Sequence, residues 1–343
     1  MESRNERILL LQLKRIGDFI LTAPAVAALR AAKPHAEIVA VVPANMAEIA
    51  RCFGGITRVL PYRPRALNLR TWISIMAGSW DACVDFAGTD RTALMTRLSR
   101  AVKRIGYGKF ADSPSKALAY TQLNEASVRD LHTVDFHLVL VGEIAGGNEK
   151  IMQRVFALPD AMSKWASAKL PSLGVTGKYA VVHPGTARAE KLWEPDRWAA
   201  VAAHLSSVEG LMVVLTGSND AIEALHLVEL KKLLTVPVID LTGKLSLMQT
   251  AAVIAGADLV LGVDSMAMHM AALFERPQVV LFGPTNPFHW RARHEMAVVV
   301  VAGHAGPVAQ SDPRAEGAAM NLISTEQVIN AMRPLRAGRA DRT

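Results

Sequence analysis

Cysteine is scarce in this chain of 343 residues: only Cys52 and Cys83 occur, and their spacing suits neither a zinc site nor a disulfide framework. A reducing compartment is the expectation, with both thiols packed among the apolar residues beside them. Long apolar runs are missing too. No stretch reaches the roughly 18 apolar residues of a membrane-spanning helix, and the opening MESRNERILLLQL has neither the long apolar core nor the cleavage signal of a secretory peptide. A cytoplasmic location is therefore expected. Nucleic-acid-binding signatures are also lacking, so nucleic acid is not an expected partner although the net charge is +7.

That charge is unevenly shared. Residues 1–165 carry 22 Lys and Arg against 15 Asp and Glu, whereas residues 166–343 carry 16 of each. The excess is densest from Arg51 to Lys116, with 12 basic and 4 acidic residues, among them Arg63, Arg65, Arg70, Arg91, Arg97, Arg100, Lys103 and Arg104. A basic face of this kind attracts anionic lipid headgroups or an acidic glycan; it also serves simply as a solvated, solubilising surface.

With 51% hydrophobic residues the chain can bury two cores of ordinary domain size. Apolar runs alternate with helical patterns in both halves. Strands are expected at Ile8–Leu13, Glu37–Val42, Thr57–Leu60, Ala82–Phe86 and Lys103–Ile105, with helices at Asp18–Ala32, Leu67–Ala77, Arg91–Arg100 and Leu131–Ala145. The second half repeats the rhythm with strands at Tyr179–His183, Leu211–Thr216, Val236–Asp240, Asp258–Val263, Gln278–Phe282 and Val298–Val301. Alternation of this sort gives α/β domains with parallel sheets covered on both faces. Between the halves, Ala157–Gly177 carries Pro159, Pro171, Gly174 and Gly177 and loses the rhythm, which places a linker there. The domains are set at 1–160 and 161–343. Ala302–Ala319 reads as an exposed loop, and Ser324–Arg333 as a final helix.

Three segments share a strand-then-polar-loop grammar. In LVLGVDSMAMHMAA, Asp264 and Ser265 stand where a buried strand meets a helix mouth, and His269 lies about one turn in. The first turn of a helix has unpaired N–H groups and a partial positive charge, so a phosphate can sit there. Asp264 or Ser265 can equally act only as a cap, and His269 with Met266, Met268 and Met270 only as core. In RILLLQLKRIGDF the loop from Lys14 to Gly17 precedes Asp18, and in YAVVHPGTARAEKLW the strand Tyr179–His183 leads into Thr186, Arg188 and Lys191. Each loop follows the carboxyl end of a strand, the edge where open parallel sheets bind ligands.

In this order the LKRIGD loop, the HPGTARAEKLW loop and the block from GKLSLMQ through LGVDSMAMHMAALFERPQVVLFGPTNP resemble glycosyltransferase family 9, the ADP-heptose:lipopolysaccharide heptosyltransferases, from about Ile8 to Met332. The resemblance implies the GT-B arrangement, two Rossmann-like domains facing across a cleft, with acceptor binding by the first, donor binding by the second, and a last helix that packs back on the first. It also implies an inverting transfer of heptose from ADP-L-glycero-D-manno-heptose to the inner core of a lipopolysaccharide precursor, at the inner face of the inner membrane. Partners on this reading are the ADP-sugar, an acidic lipopolysaccharide-precursor acceptor and an anionic membrane surface. Another nucleotide-sugar enzyme of the same architecture, a hexosyltransferase or 2-epimerase, is the alternative, as is a non-catalytic nucleotide-sugar-binding protein.

By the same resemblance Asp18 matches the family's catalytic base, with Lys14, Arg15 and Gly17 forming its loop; helix N-capping is its other role. Lys191 matches the lysine that holds the diphosphate, and Thr186 a threonine that contacts phosphate. The next family position is often threonine but is Ala187 here, with Arg188 as a candidate replacement. Asp264, Ser265, Met266 and His269 align with the helix-mouth residues. Either Asp220 or Glu223 would hold the ribose, with Leu245 and Met248 walling the adenine. FGPTNPFHW would bring Thr285, Asn286 and His289 toward the site. No cofactor is expected. Magnesium could be held only by Asp264 with substrate oxygens and is expected to be dispensable.

Overall fold

The structure is a computed structural model that describes residues 5–147 and 156–340. It separates into two compact units, Met1–Ala157 and Leu158–Thr343. The first contains strands β1 (Arg7–Leu11), β2 (Glu37–Pro43), β3 (Arg58–Tyr62), β4 (Ala82–Asp85), β5 (Lys103–Tyr107) and β6 (Gln122–Asn124). They form one parallel sheet in the order β3-β2-β1-β4-β5-β6. The second contains β7 (Tyr179–His183), β8 (Met212–Leu215), β9 (Val238–Asp240), β10 (Leu259–Val263), β11 (Gln278–Phe282) and β12 (Ala297–Val301). Its parallel order, β12-β11-β10-β7-β8-β9, is the same winding. Each unit is thus a doubly wound Rossmann-like sheet, and together they make the GT-B class.

The central strands are apolar throughout because both faces of a parallel sheet are covered: every residue of β7, β10 and β11 is buried. In each sheet the winding reverses beside the first strand, between β1 and β4 and between β7 and β10. Loops leaving neighbouring strands there diverge to opposite faces, which opens a crevice at the carboxyl edge. Asp18 follows β1, Lys191 follows β7 and Asp264 follows β10. The fold therefore carries each of these side chains to a switch point of its own unit.

Several boundaries differ from those the pattern suggested. The helix expected over Asp18–Ala32 is two, Ile16–Ile20 and Ala23–Ala32, because Pro24 stands in the first turn of the second and starts it afresh. The expected linker contains a helix, Asp160–Ser172, of which only Leu170 is buried. The last helix, Thr325–Ala340, packs on β11, β12 and the helix Pro195–Ser207. Val328, Ala331, Met332 and Leu335 of this helix lie in the core of the second unit.

Candidate active site

In the second unit, the loop after β7 is fixed by its tryptophans. Trp193 is fully buried, donates its indole N–H to the carbonyl of Ile323 at 2.9 Å, and meets Trp198 edge-on at 4.9 Å between ring centroids. With Trp193 anchored, the short turn Ala189–Lys191 directs Lys191 inward. Its ammonium donates to Asp264 Oδ2 at 2.6 Å. The same oxygen accepts from the Thr285 hydroxyl at 2.9 Å, and His269 Nε2 stands 4.0 Å from Oδ1. Lys191, Asp264, His269 and Thr186 are all buried.

The helix mouth beside this group is Met266–Leu273, with Ser265 at the N-cap position. The Ser265 side chain makes no capping bond, and its buried Oγ finds no partner among the described residues. Ser265 and Met266 thus leave the first-turn N–H groups uncapped by side chains, which is the geometry an anion uses. Gly262 lets this helix lie close: a Cβ there would stand 2.8 Å from both the His183 carbonyl oxygen and the Met268 sulfur.

Beneath the loop after β7 runs a polar bracket that the sequence pattern does not single out as a group. Glu223 is buried, accepts from the Ser218 hydroxyl at 2.5 Å, and lies 3.9 Å from His183 Nε2. His183 Nδ1 is 3.0 Å from the Thr216 hydroxyl. Burial pulls the His183 pKa below the ordinary histidine value, against the opposing pull of Glu223. The carboxylate occupies the space a side chain at position 185 would need, since a Cβ on Gly185 would come within 1.6 Å of Glu223 Oε1. Glu223 therefore holds the loop that carries Thr186. Asp220 differs: it is exposed and its Oδ1 accepts from the Ile222 N–H at 3.2 Å, capping the helix Ala221–Leu233.

Other expected residues fall elsewhere. Arg188 is paired on the same turn, where both Nε (2.7 Å) and Nη2 (2.6 Å) engage Glu190 Oε1. Asn286 donates to the carbonyls of Asp312, Pro313 and Ala315, and His289 contacts the Pro313 carbonyl, whereas Thr285 joins the Lys191 group. Leu245 is half-buried in the turn that ends at Ser246, whereas Met248 is buried in the helix Leu247–Ala255.

In the first unit, Asp18 is the third residue of the helix Ile16–Ile20; Arg15 holds the N-cap position, so Asp18 does not cap this helix. It is half-buried, and the first-turn position favours its negative charge. Lys14 places its ammonium 5.8 Å from the centre of the Tyr107 ring. Burial chiefly, then the charges of Asp85 and Asp18, pushes the Tyr107 phenol above its ordinary range; its hydroxyl donates to the Phe86 carbonyl. Asp85, fully buried at the end of β4, accepts from the N–H groups of Ala87 and Gly88, both at 2.9 Å, and from the Tyr120 hydroxyl at 2.7 Å. Burial raises its pKa despite these bonds. A single acid ending a strand carries no spacing signal, so Asp85 is not marked out in the sequence. Beside it opens a cavity of about 480 Å³ lined by Leu13, Thr89, Asp90 and Arg91.

Residues 68–316, more than half the chain, match the family described as glycosyltransferase family 9 (heptosyltransferase). The chain belongs to that family and is a glycosyltransferase. It is 27% identical over 297 residues to lipopolysaccharide heptosyltransferase 1 of Escherichia coli (strain K12), covering 82% of this chain and 89% of that protein. It is 26% identical over 286 residues to lipopolysaccharide heptosyltransferase 3 of Escherichia coli, covering 80% and 83%. Among solved structures, the glycosyl transferase family 9 protein of Veillonella parvula DSM 2008 superposes with a TM-score of 0.84 at 23% identity, over 98% of this chain and 99% of that one. E. coli heptosyltransferase WaaC with ADP gives 0.73 at 23% identity, over 96% and 99%. At such identities the structural likeness concerns the fold.

Proposed function

We propose that this glycosyltransferase transfers heptose from ADP-L-glycero-D-manno-heptose, with inversion, to the inner core of a lipopolysaccharide precursor at the cytoplasmic face of the inner membrane. The observation that carries the reading is the Lys191–Asp264–Thr285 group at the uncapped mouth of the helix Met266–Leu273, in a chain similar to lipopolysaccharide heptosyltransferases 1 and 3. Asp18 takes the proton of the acceptor hydroxyl, whose oxygen attacks the anomeric carbon opposite the leaving group. As the bond to the diphosphate breaks, charge grows on the phosphate oxygens, and Lys191 with the first-turn N–H groups and Thr186 receives it.

Asp220, exposed at its helix start, takes the ribose hydroxyls, while Glu223, enclosed under Gly185, positions the loop. Leu245 faces the adenine. Asp264 is one carboxylate already engaged by Lys191, which supports a transfer that needs no magnesium. The basic stretch of the first unit meets the acidic acceptor.

Calorimetry of ADP, UDP and GDP, each with and without magnesium, tests the donor side. ADP is expected to bind most tightly, without metal, and more weakly to Lys191→Ala. Asp18→Asn is expected to keep ADP binding while turnover on acceptor collapses. A preference for UDP or GDP overturns the donor assignment, and retained turnover in Asp18→Asn overturns the base.

A further inference from the structure

The helix Leu69–Ala77 of the first unit holds the sheet with one face and leaves the other bare. Thr71 and Ile75 are buried, with the Thr71 hydroxyl donating to the Pro61 carbonyl at 2.8 Å and the Ile75 carbonyl accepting from the Trp80 indole at 2.8 Å. Leu69, Ile73 and Met76, at the i, i+4 and i+7 spacing of a single helical face, are 63%, 58% and 46% exposed. Leu67, just before the helix, is 80% exposed. The neighbouring helix Asp90–Ser99, in contact with this one, exposes Leu94. Isolated exposed leucines need no explanation, but an aligned apolar row does.

The loop that presents Leu67 is held in shape. Asn68, at φ 50°, accepts from the Arg63 N–H at 2.8 Å and donates to the carbonyls of Arg63 and Ala66, both at 2.7 Å. Arg65 is kept at φ 66°, a conformation that costs a non-glycine residue free energy. Exposed Arg63, Arg65 and Arg70 surround the apolar row, and no acidic residue occurs from Arg58 to Trp80.

We propose that this face is a membrane-docking surface, on which Leu67, Leu69, Ile73 and Met76 enter the headgroup–acyl boundary of an anionic bilayer while Arg63, Arg65 and Arg70 meet its lipid phosphates. Apolar residues on one side of a surface helix with basic residues at its margin are what an interfacial helix requires. A second copy of the chain is the poorer occupant, because a symmetric pairing would set arginine against arginine. The docking surface gives the membrane location proposed above a physical basis and rests on that part of the reading alone.

The full chain, without donor or acceptor, is to be floated with vesicles of phosphatidylcholine and of phosphatidylcholine containing phosphatidylglycerol. Binding is expected only to the anionic vesicles and should weaken with salt. Arg70→Ala should weaken it about fivefold, the equivalent of one charge at such a surface, and Ile73→Asp should abolish it with melting temperature and ADP affinity unchanged. Equal binding to both vesicle types, undiminished binding of Ile73→Asp, or a concentration-dependent dimer that Ile73→Asp dissolves would each overturn the proposal. ADP titration of the same samples reports on the sugar-transfer reading separately.

Discussion

Replacing Lys191 by Met separates what this lysine does for the fold from what it does for the ligand. In the native protein its ammonium lies 2.6 Å from Asp264 Oδ2, with the two side chains only 11% and 9% exposed. Removing the cation strands a carboxylate among buried neighbours, with the Thr285 hydroxyl at 2.9 Å and the His269 ring 4.0 Å away as its remaining support. Breaking a buried pair on one side costs about 3–5 kcal/mol. Residual exposure and the Thr285 bond favour the lower figure, about 3 kcal/mol, or roughly 6–12 °C in melting temperature for a unit of this size. Adding Asp264→Asn removes the stranded charge and should return most of that loss. Affinity for ADP behaves differently if Lys191 grips the diphosphate: a lost charged hydrogen bond of about 1.5–3 kcal/mol weakens binding roughly tenfold to hundredfold, and the second substitution should not restore it. Thermal melts and ADP calorimetry on the wild type, both single variants and the double variant complete the cycle. If Lys191→Met melts like the wild type, the pair is not buried as described; if the double variant binds ADP at wild-type strength, Lys191 is not the diphosphate clamp.

Two further outcomes follow from buried groups outside that pair. Gly185→Ala drives a methyl to within 1.6 Å of Glu223 Oε1, so it should cost about 1–3 kcal/mol as overpacking and lower ADP affinity through Thr186. Trimming Glu223 to Ala in the same chain should recover part of the stability, and a wild-type melt for Gly185→Ala would contradict the packing. His137 is fully buried with Nδ1 3.1 Å from the Leu21 carbonyl, and burial lowers its pKa from 6.5 to about 4. Between those values the unfolded chain takes the proton and the folded one does not, so this group's contribution is present above pH 6.5 and is lost as pH falls toward 4. Urea unfolding at pH 7 and pH 5 should show a loss about 2 kcal/mol larger in the wild type than in His137→Gln; equal losses would show that His137 charges as readily in the folded state.

The strands were legible because a strand buried on both faces must be an unbroken apolar run, as RILLL, YAVVH, LVLGV and QVVLF are. β6 was not, because Gln122–Asn124 is a half-buried edge of three residues with no such run. The helix Asp160–Ser172 was hidden for a related reason: with only Leu170 buried it has no apolar stripe to count, and Pro171 falls in its last turn. Trp193 and Thr285 show where reading by motif stopped short. The tryptophan in EKLW is the anchor that turns the lysine inward, and the threonine of GPTNP shares the Asp264 oxygen with that lysine; neither role follows from spacing.

The contact between Lys191 and Asp264 spans 73 residues of sequence, and no local pattern could have announced it. Topology supplies the link. β7 and β10 are hydrogen-bonded neighbours although two strands intervene in the chain, with His183 in register with Gly262. Each of these strands therefore delivers the loop after it to the same edge, one bearing Thr186 and Lys191 and the other Asp264 and Ser265. The first unit repeats the device: β1 and β4 pair directly, with Leu11 in register with Asp85, which brings the loop of Asp18 beside the turn that Asp85 organises. Two loops that look unrelated in sequence become one site wherever a doubly wound sheet reverses, so the informative quantity is the pairing of the strands that precede them. On that ground Asp85 and Glu223, both buried behind such loops, are the positions where a conservative substitution should alter loop geometry without touching a substrate.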